Sequence, residues 1–476
     1  MLLPNRETSP LAQGCKLYII NFCNITLTYQ HPGWNDTVNI NVWLPLSGWN
    51  GRLWALGGGG YSASYGSIYL AQAVGKGFAA IATDSGHQAF VLHQNSLEWA
   101  LLRSGNLNLP LIEDFGYRTL GELADFGKAV TTEYYGRQPD LSYFNGCSGG
   151  GRQAMAIAQR HPQAFDGVLA VAPAMSYNIL VPAGYWATHT MHQLCYYPPP
   201  CEVDAFTSEA VKACDSLDGL TDRIISAPTH CHFKAADVVR KEFSCNGTAG
   251  RFSSAGATVV QAAWDGPQNA GPGGYSWPGL NPGAALTTLY IQTNCSANGT
   301  CTATTNTLFS NWYKYLLAQD PKYNLSAMTN EQYFSYIRSS TSDFMSTISA
   351  SNPDLSAFAQ AGGKLLSWQG TADENTPTRQ TINYYTEVLR LDPRVGEYYQ
   401  FYEAPGVGHC FGGAGPVPNG AFDQLMAWVE NETVPEVLYA GNGSHPRPLC
   451  PYPLAQTFVG NDSTAVSVSS GSDFRG

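Results

Sequence analysis

Three short stretches of the chain hold side chains able to carry nucleophilic chemistry. They are Gly146-Cys147-Ser148-Gly149-Gly150, Gly370-Thr371-Ala372-Asp373 and Gly406-Val407-Gly408-His409. The first fits the G-x-S-x-G elbow, where a serine sits on a sharp turn and small neighbours let the backbone crowd together. A serine hydroxyl is a weak nucleophile at neutral pH. It needs a histidine to take its proton, and the histidine needs an acid to fix its tautomer and stabilise its charge. Asp373 and His409 supply both in the order Ser, Asp, His. Asp84 and His87 form a competing pair, but they precede the elbow and fit that order badly.

Catalysis of this kind also needs amide donors for the oxyanion. Arg52 to Leu56 reads as a strand running into Gly57-Gly58-Gly59-Gly60, where the backbone must turn tightly or approach something closely. The run is either a plain turn or an oxyanion loop, with an N–H from Gly59 or Gly60 joining that of Gly149. Cys147 and Cys410 flank nucleophile and base. A disulfide between them would staple the elbow to the histidine loop across more than half the chain, worth roughly 5 kcal/mol in the chain-entropy model.

The elements that must position these residues alternate. Leu141 to Phe144 reads as a strand before the elbow and Arg152 to Arg160 as a helix after it, with Met155, Ile157 and Ala158 available to a sheet. Val38 to Pro45, Phe78 to Thr83, Gly167 to Val171, Gly363 to Gln369 and Glu397 to Tyr402 also read as strands. Helices are expected over Tyr65 to Lys76, Tyr117 to Tyr135, Arg379 to Arg390 and Ala421 to Glu430, the second facing inward with Leu120, Leu123, Phe126, Val130 and Tyr134. Strand followed by helix, repeated, implies an α/β fold with a mainly parallel sheet. The Ser, Asp, His order makes it an α/β-hydrolase core. From 177 to 355 the rhythm breaks. That span is rich in Pro, Gly, Ser, Asn and aromatics, and is expected to be an inserted lid domain, with 1–176 and 356–476 forming a discontinuous catalytic domain.

Composition narrows the function classes. Charged residues are only 13% of the 476 and aromatics 12%, which describes an ordered globular chain. A net charge of -11 excludes the basic footprint that nucleic acid or an anionic membrane requires. No apolar run approaches the ~20 residues of a membrane span. Twelve cysteines accompany Asn-x-Ser/Thr sequons at Asn24, Asn35, Asn246, Asn294, Asn298, Asn324, Asn431, Asn442 and Asn461. Together they point to an oxidising, glycosylating pathway, and secretion is expected. Met1-Leu2-Leu3-Pro4-Asn5-Arg6 does not read as the start of a signal peptide.

Gly146 to Arg152, Gly370 to Pro377 with Asp373, and the pair His409-Cys410 resemble the tannase and feruloyl esterase family. The similarity extends to His31-Pro32-Gly33, Asn35-Asp36-Thr37, Gly57 to Gly60 and Thr83-Asp84-Ser85-Gly86-His87, nearly the whole chain. The resemblance implies a serine esterase with Ser148 as nucleophile, His409 as base, Asp373 as acid and a Cys147–Cys410 disulfide. It further implies esters of plant phenolic acids as substrates: feruloyl esters of cell-wall polysaccharide first, galloyl esters as the alternative, and a terephthalate monoester as a remote third. A pocket shaped for one ring-hydroxyl pattern would discriminate against another. Outside the enzyme class, an inactive hydrolase-like binding protein is the competing reading.

Cys214-Asp215-Ser216-Leu217-Asp218-Gly219-Leu220-Thr221-Asp222-Arg223-Ile224 gathers three carboxylates around a glycine. By itself this is either an acidic turn or a hard-cation site without EF-hand spacing. The family resemblance implies a structural calcium ion, held by Asp215, Asp218 and Asp222 through side chains and by Leu220 and Ile224 through carbonyls. Cys214 and Cys231 bracket the loop and are expected to pair. No organic cofactor is expected. Cys15, Cys23, Cys195, Cys201, Cys245, Cys295, Cys301 and Cys450 cannot be paired from sequence.

Overall fold

The computed structural model describes residues 21–87, 95–245, 247–269, 274–304, 306–441, 447–458 and 466–469. Cys15 and the sequons at Asn246, Asn442 and Asn461 lie outside the described residues.

An eight-stranded sheet organises the molecule. Its strands are β1 (Phe22–Tyr29), β2 (Val38–Pro45), β3 (Arg52–Leu56), β4 (Ala79–Thr83), β5 (Leu141–Cys147), β6 (Gly167–Val171), β7 (Lys364–Gly370) and β8 (Tyr399–Ala404). They lie in the order β1-β2-β4-β3-β5-β6-β7-β8. β1, β2 and β4 pair antiparallel, and every pairing from β4 through β3 to β8 is parallel. Sequence and burial agree: the apolar runs AAIAT and GVLAV of β4 and β6 are wholly buried, as strands covered on both faces must be. In β2 polar and apolar residues alternate, and every second side chain is less buried. β1 was not read from the sequence. Both its faces are partly open, so its pattern is weak and its pairing with β2 defines it.

Five helices pack on the sheet: α1 (Ser67–Gly75), α2 (Thr119–Tyr135), α3 (Gly149–Arg160), α4 (Thr378–Leu391) and α5 (Ala421–Asn431). α3 begins directly after Ser148, three residues earlier than its sequence pattern indicated. A π turn over Asp114–Arg118 replaces the expected start of α2. The inward face of α2 also differs. It carries Leu120, Leu123, Ala124, Gly127 and Thr131, whereas Phe126 and Tyr134 are exposed. Phe126 lies six residues past Leu120, about 240° around the helix. At Gly127 the helix comes so close to β4 that an added Cβ would stand 2.5 Å from Ile81 Cδ1.

Between β6 and β7 the chain leaves the sheet. Helices over Tyr177–Gly184, Trp186–Leu194, Pro200–Cys214, Ser254–Asp265 and Asn330–Phe344 run through this region, which is more helical than its composition indicated. Disulfides Cys201–Cys245, Cys214–Cys231 and Cys295–Cys301 lie within it. Its hydrophobic cluster, which includes Phe309, Trp312, Tyr313 and Tyr333, is continuous with Tyr61 and Phe115 of the sheet unit, while two further clusters line the faces of the sheet.

Candidate active site

β5 delivers Ser148 into a turn that ordinary residues avoid. Its φ is 62° and ψ -118°, a left-handed conformation that costs of order 1–3 kcal/mol and persists because the surroundings over-determine it. The Ser148 N–H donates to Val171 O at 3.0 Å, and its carbonyl accepts the amides of Arg152 and Ala174 at 2.9 and 3.2 Å. Glycine is required at the two positions after it. A Cβ on Gly150 would stand 2.6 Å from Gly58 O, and one on Gly149 2.8 Å from Gly60 O. The glycine run therefore lies directly against the first turn of α3. The amides of Gly57 and Gly58 are taken by Asn145 O and Gln153 Oε1, both at 2.9 Å. Tyr177 donates its hydroxyl to Gly60 O at 2.8 Å, holding the loop from the inserted region.

β7 and β8 bring the other two residues to the same edge. Asp373 is 2% exposed and follows β7, and His409 follows β8. His409 Nδ1 donates to Asp373 Oδ1 at 2.9 Å and Oδ2 at 3.0 Å. Asp373 Oδ1 also accepts the amides of Asn375 and Thr376 at 2.9 and 2.8 Å, and Oδ2 accepts Gln369 Nε2 at 3.2 Å. The carboxylate is thus fixed in orientation. Burial pushes the His409 pKa down, but the charge and hydrogen bond of Asp373, with Glu374 behind, raise it above the ordinary 6.5. His409 Nε2 is buried and has no hydrogen-bond partner among the described residues. In free sites of this type the nucleophile–base contact commonly tightens only when substrate arrives. A disulfide joins Cys147 to Cys410 and so ties the strand that delivers Ser148 to the loop that carries His409.

Three supporting residues had been passed over in the sequence. Glu374 Oε2 accepts the His409 amide at 2.9 Å, Gln369 steadies Asp373, and Arg152 donates to Phe115 O at 2.8 Å and Gly116 O at 2.7 Å. Glu374 and Arg152 lay in quoted motifs, but local spacing does not reveal whom a side chain meets. The rival pair plays a different part. Asp84 Oδ1 accepts the amides of Asn39 and Gly86, at 2.8 and 2.9 Å. His87 donates from Nε2 to Tyr61 O at 2.7 Å, stacks on Trp99, and is held below its ordinary pKa by burial.

In the acidic loop of the inserted region, Asp215 Oδ1 accepts the amides of Asp222, Arg223 and Ile224 at 3.0, 2.9 and 3.3 Å. Asp218 Oδ1 accepts the Leu220 amide, and Asp218 Oδ2 is buried without a partner among the described residues. Burial raises the pKa of Asp222, and the neighbouring charges of Asp218 and Asp215 add to that; Arg447 Nη1 stands 3.9 Å from it. An orphaned oxygen among crowded carboxylates fits a hard cation. Elsewhere, His31, Asp36 and Asp114 bring one ligand atom each within 4.8 Å of one another, a convergence that the carboxylates of the acidic loop do not reach among the described residues. The sequence had assigned these residues no chemistry. The described sequon asparagines, Asn24, Asn35, Asn294, Asn298, Asn324 and Asn431, are all exposed. No described helix is long and apolar enough to cross a membrane.

The model of the family described as Tannase and feruloyl esterase matches residues 23–472. A "Probable feruloyl esterase" of Arthroderma benhamiae is 34% identical over 469 residues, covering 96% of this chain and 86% of that one. A tannase of Aspergillus oryzae is 28% identical, covering 93% and 84%. Among solved structures, a tannin acyl hydrolase from Aspergillus niger superposes with a TM-score of 0.86 at 29% identity, covering 94% of this chain and 86% of that one. With the parallel sheet and the match along nearly its whole length, the chain belongs to the tannase and feruloyl esterase family of carboxylic ester hydrolases.

Proposed function

We propose that this protein is a secreted serine esterase acting on plant phenolic acid esters, with feruloyl esters of cell-wall polysaccharide as its main substrates. One observation carries the reading: an imidazole oriented by a buried carboxylate keeps its second nitrogen unpartnered, on the sheet edge where a strained serine stands. In the first step His409 Nε2 takes the Ser148 proton as Oγ attacks the ester carbonyl. The amides of Gly149 and of Gly59 or Gly60 stabilise the oxyanion, and His409 returns the proton to the leaving alcohol. In the second step water, deprotonated by His409, releases the acid.

The region 177–355 acts in this reading as the lid, closing over an aromatic acyl group. A cleft lined by Ile225, Asn281, Gly283, Thr371, Glu374 and Gly408 separates it from the acid and base loops. Asp215, Asp218 and Asp222, with carbonyls of Leu220 and Ile224, would hold a structural calcium ion that neutralises the crowded carboxylates. The exposed sequons and the disulfides support passage through a glycosylating, oxidising pathway.

A galloyl preference is the second reading, favoured by the likeness to the tannin acyl hydrolase. Hydrolysis of methyl ferulate, methyl caffeate and methyl gallate, compared side by side, decides between them. Faster turnover of the cinnamates is expected, and faster turnover of gallate would replace the first reading with the second. A folded sample that neither hydrolyses these esters nor is labelled at Ser148 by a fluorophosphonate would be a binding protein instead.

A further inference from the structure

His31-Pro32-Gly33 and Asn35-Asp36-Thr37 carry no step of acyl transfer, yet the fold assembles them with Asp114 and Glu122 in one cluster. His31 and Asp36 lie in the β1–β2 turn, Asp114 opens the π turn, and Glu122 stands in the first turn of α2. His31 Nδ1 is 2.5 Å from Asp36 Oδ2 and 3.8 Å from Asp114 Oδ1. Its other nitrogen, Nε2, is 2.7 Å from Glu122 Oε1, and Tyr29 donates its hydroxyl to Glu122 Oε2 at 2.5 Å.

Asp114 is 0% exposed, and among the described residues neither of its oxygens accepts a hydrogen bond from an N–H or hydroxyl donor, its near neighbours being the Asp36 carboxyl and His31. A buried carboxyl without donors is costly. No arginine or lysine pairs with it among the described residues; Arg118 stacks over Trp34 and gives its guanidinium to Glu113. Asp36, Asp114 and Glu122 thus face one imidazole, so the cluster lacks positive charge. A second feature points to what supplies it. An imidazole that ligates a metal through one nitrogen typically donates its other N–H to a carboxylate, which is itself hydrogen-bonded. The Tyr29–Glu122–His31 chain has that form.

We propose that His31 Nδ1, Asp36 Oδ2 and Asp114 Oδ1 bind a divalent transition-metal ion of the zinc or manganese class, distinct from the calcium loop of the inserted region. A nitrogen ligand with two carboxylates suits these ions, whereas calcium takes six to eight oxygens. Binding replaces a proton on Nδ1, which leaves to solvent. The ion contacts no substrate. It staples the β1–β2 turn to the segment opening at Asp114, whose next two carbonyls receive Arg152 of the nucleophile helix.

The test uses the full chain, stripped with chelator, returned to excess calcium, and titrated with zinc or manganese chloride. Expected are about one retained zinc per chain, a rise in Tm, and a zinc absorption edge showing nitrogen and oxygen at about 2.0–2.1 Å without sulfur. The absence of sulfur excludes capture by the exposed Cys195. Asp114→Asn should abolish the Tm rise. Glu122→Gln, which keeps every ligand, should weaken zinc binding roughly 10- to 100-fold. Wild-type protein that neither retains zinc nor gains Tm overturns the proposal, as does unchanged binding by both variants; in either case Asp114→Asn would raise Tm by removing an unsatisfied buried acid.

Discussion

His409 and His31 each hold a carboxylate on Nδ1, at 2.9 and 2.5 Å, and yet they differ in what their second nitrogen meets. The difference lies at the far nitrogen. His409 Nε2 is buried without a partner on the edge that carries Ser148, while His31 Nε2 is capped by Glu122. An imidazole with one nitrogen fixed and one unpartnered can accept a serine proton. An imidazole enclosed on both sides can only hold structure or a cation. His–Asp proximity therefore says little about chemistry until the second nitrogen is accounted for.

Substitutions can break this contrast. The largest effect is expected from Ser148→Ala, a fall in kcat on the order of 10⁶-fold, measured with a saturating phenolic ester. Next comes a paired comparison. Asp373→Asn should lower kcat roughly 10⁴-fold by losing the tautomer that frees Nε2. Asp36→Asn, the equivalent change at His31, should cost less than about tenfold in kcat while lowering Tm, since the residue touches no substrate. Equal losses from the two would dissolve the distinction between the sites.

The disulfides offer a milder probe. Replacing Cys147 and Cys410 together by serine should cost 2–5 kcal/mol in denaturant unfolding and about 10²-fold in kcat, because base and nucleophile lose register. The same change at Cys295 and Cys301, which close a separation of only 6 residues, should leave kcat unchanged. The smallest effect is a shift in pH profile. With its pKa raised, His409 must lose its proton before it can act as base, so kcat/KM should fall, as pH drops, at a value above 6.5. Glu374→Gln removes one of the charges raising that pKa, and the acidic limb should move to lower pH. An unmoved limb would remove Glu374 from the set that tunes the base.

Much of the core was legible because its signals are local. β2, β3 and β6 occupy the residues that alternation and apolar runs marked out. The start of α3 was missed because glycines mask a helix, and here they serve the close approach of the Gly57–Gly60 run. In the inserted region, Thr329 and Gln332 form a capping box that marks the start of Asn330–Phe344, but the surrounding composition hid it. Its helices are held by aromatic packing between distant segments, such as Trp186 against Tyr333 and Phe334.

The sequence by itself determined which residues could do chemistry, their order along the chain and the strand–helix rhythm that sets them at strand ends, since each rests on neighbours a few positions apart. Tertiary structure alone decided which histidine keeps a nitrogen unpartnered, that Cys201 meets Cys245 and Cys295 meets Cys301, and that His31, Asp36 and Asp114 converge. Those outcomes depend on contacts between residues far apart in sequence, whose geometry is set only when the sheet order and helix packing are complete.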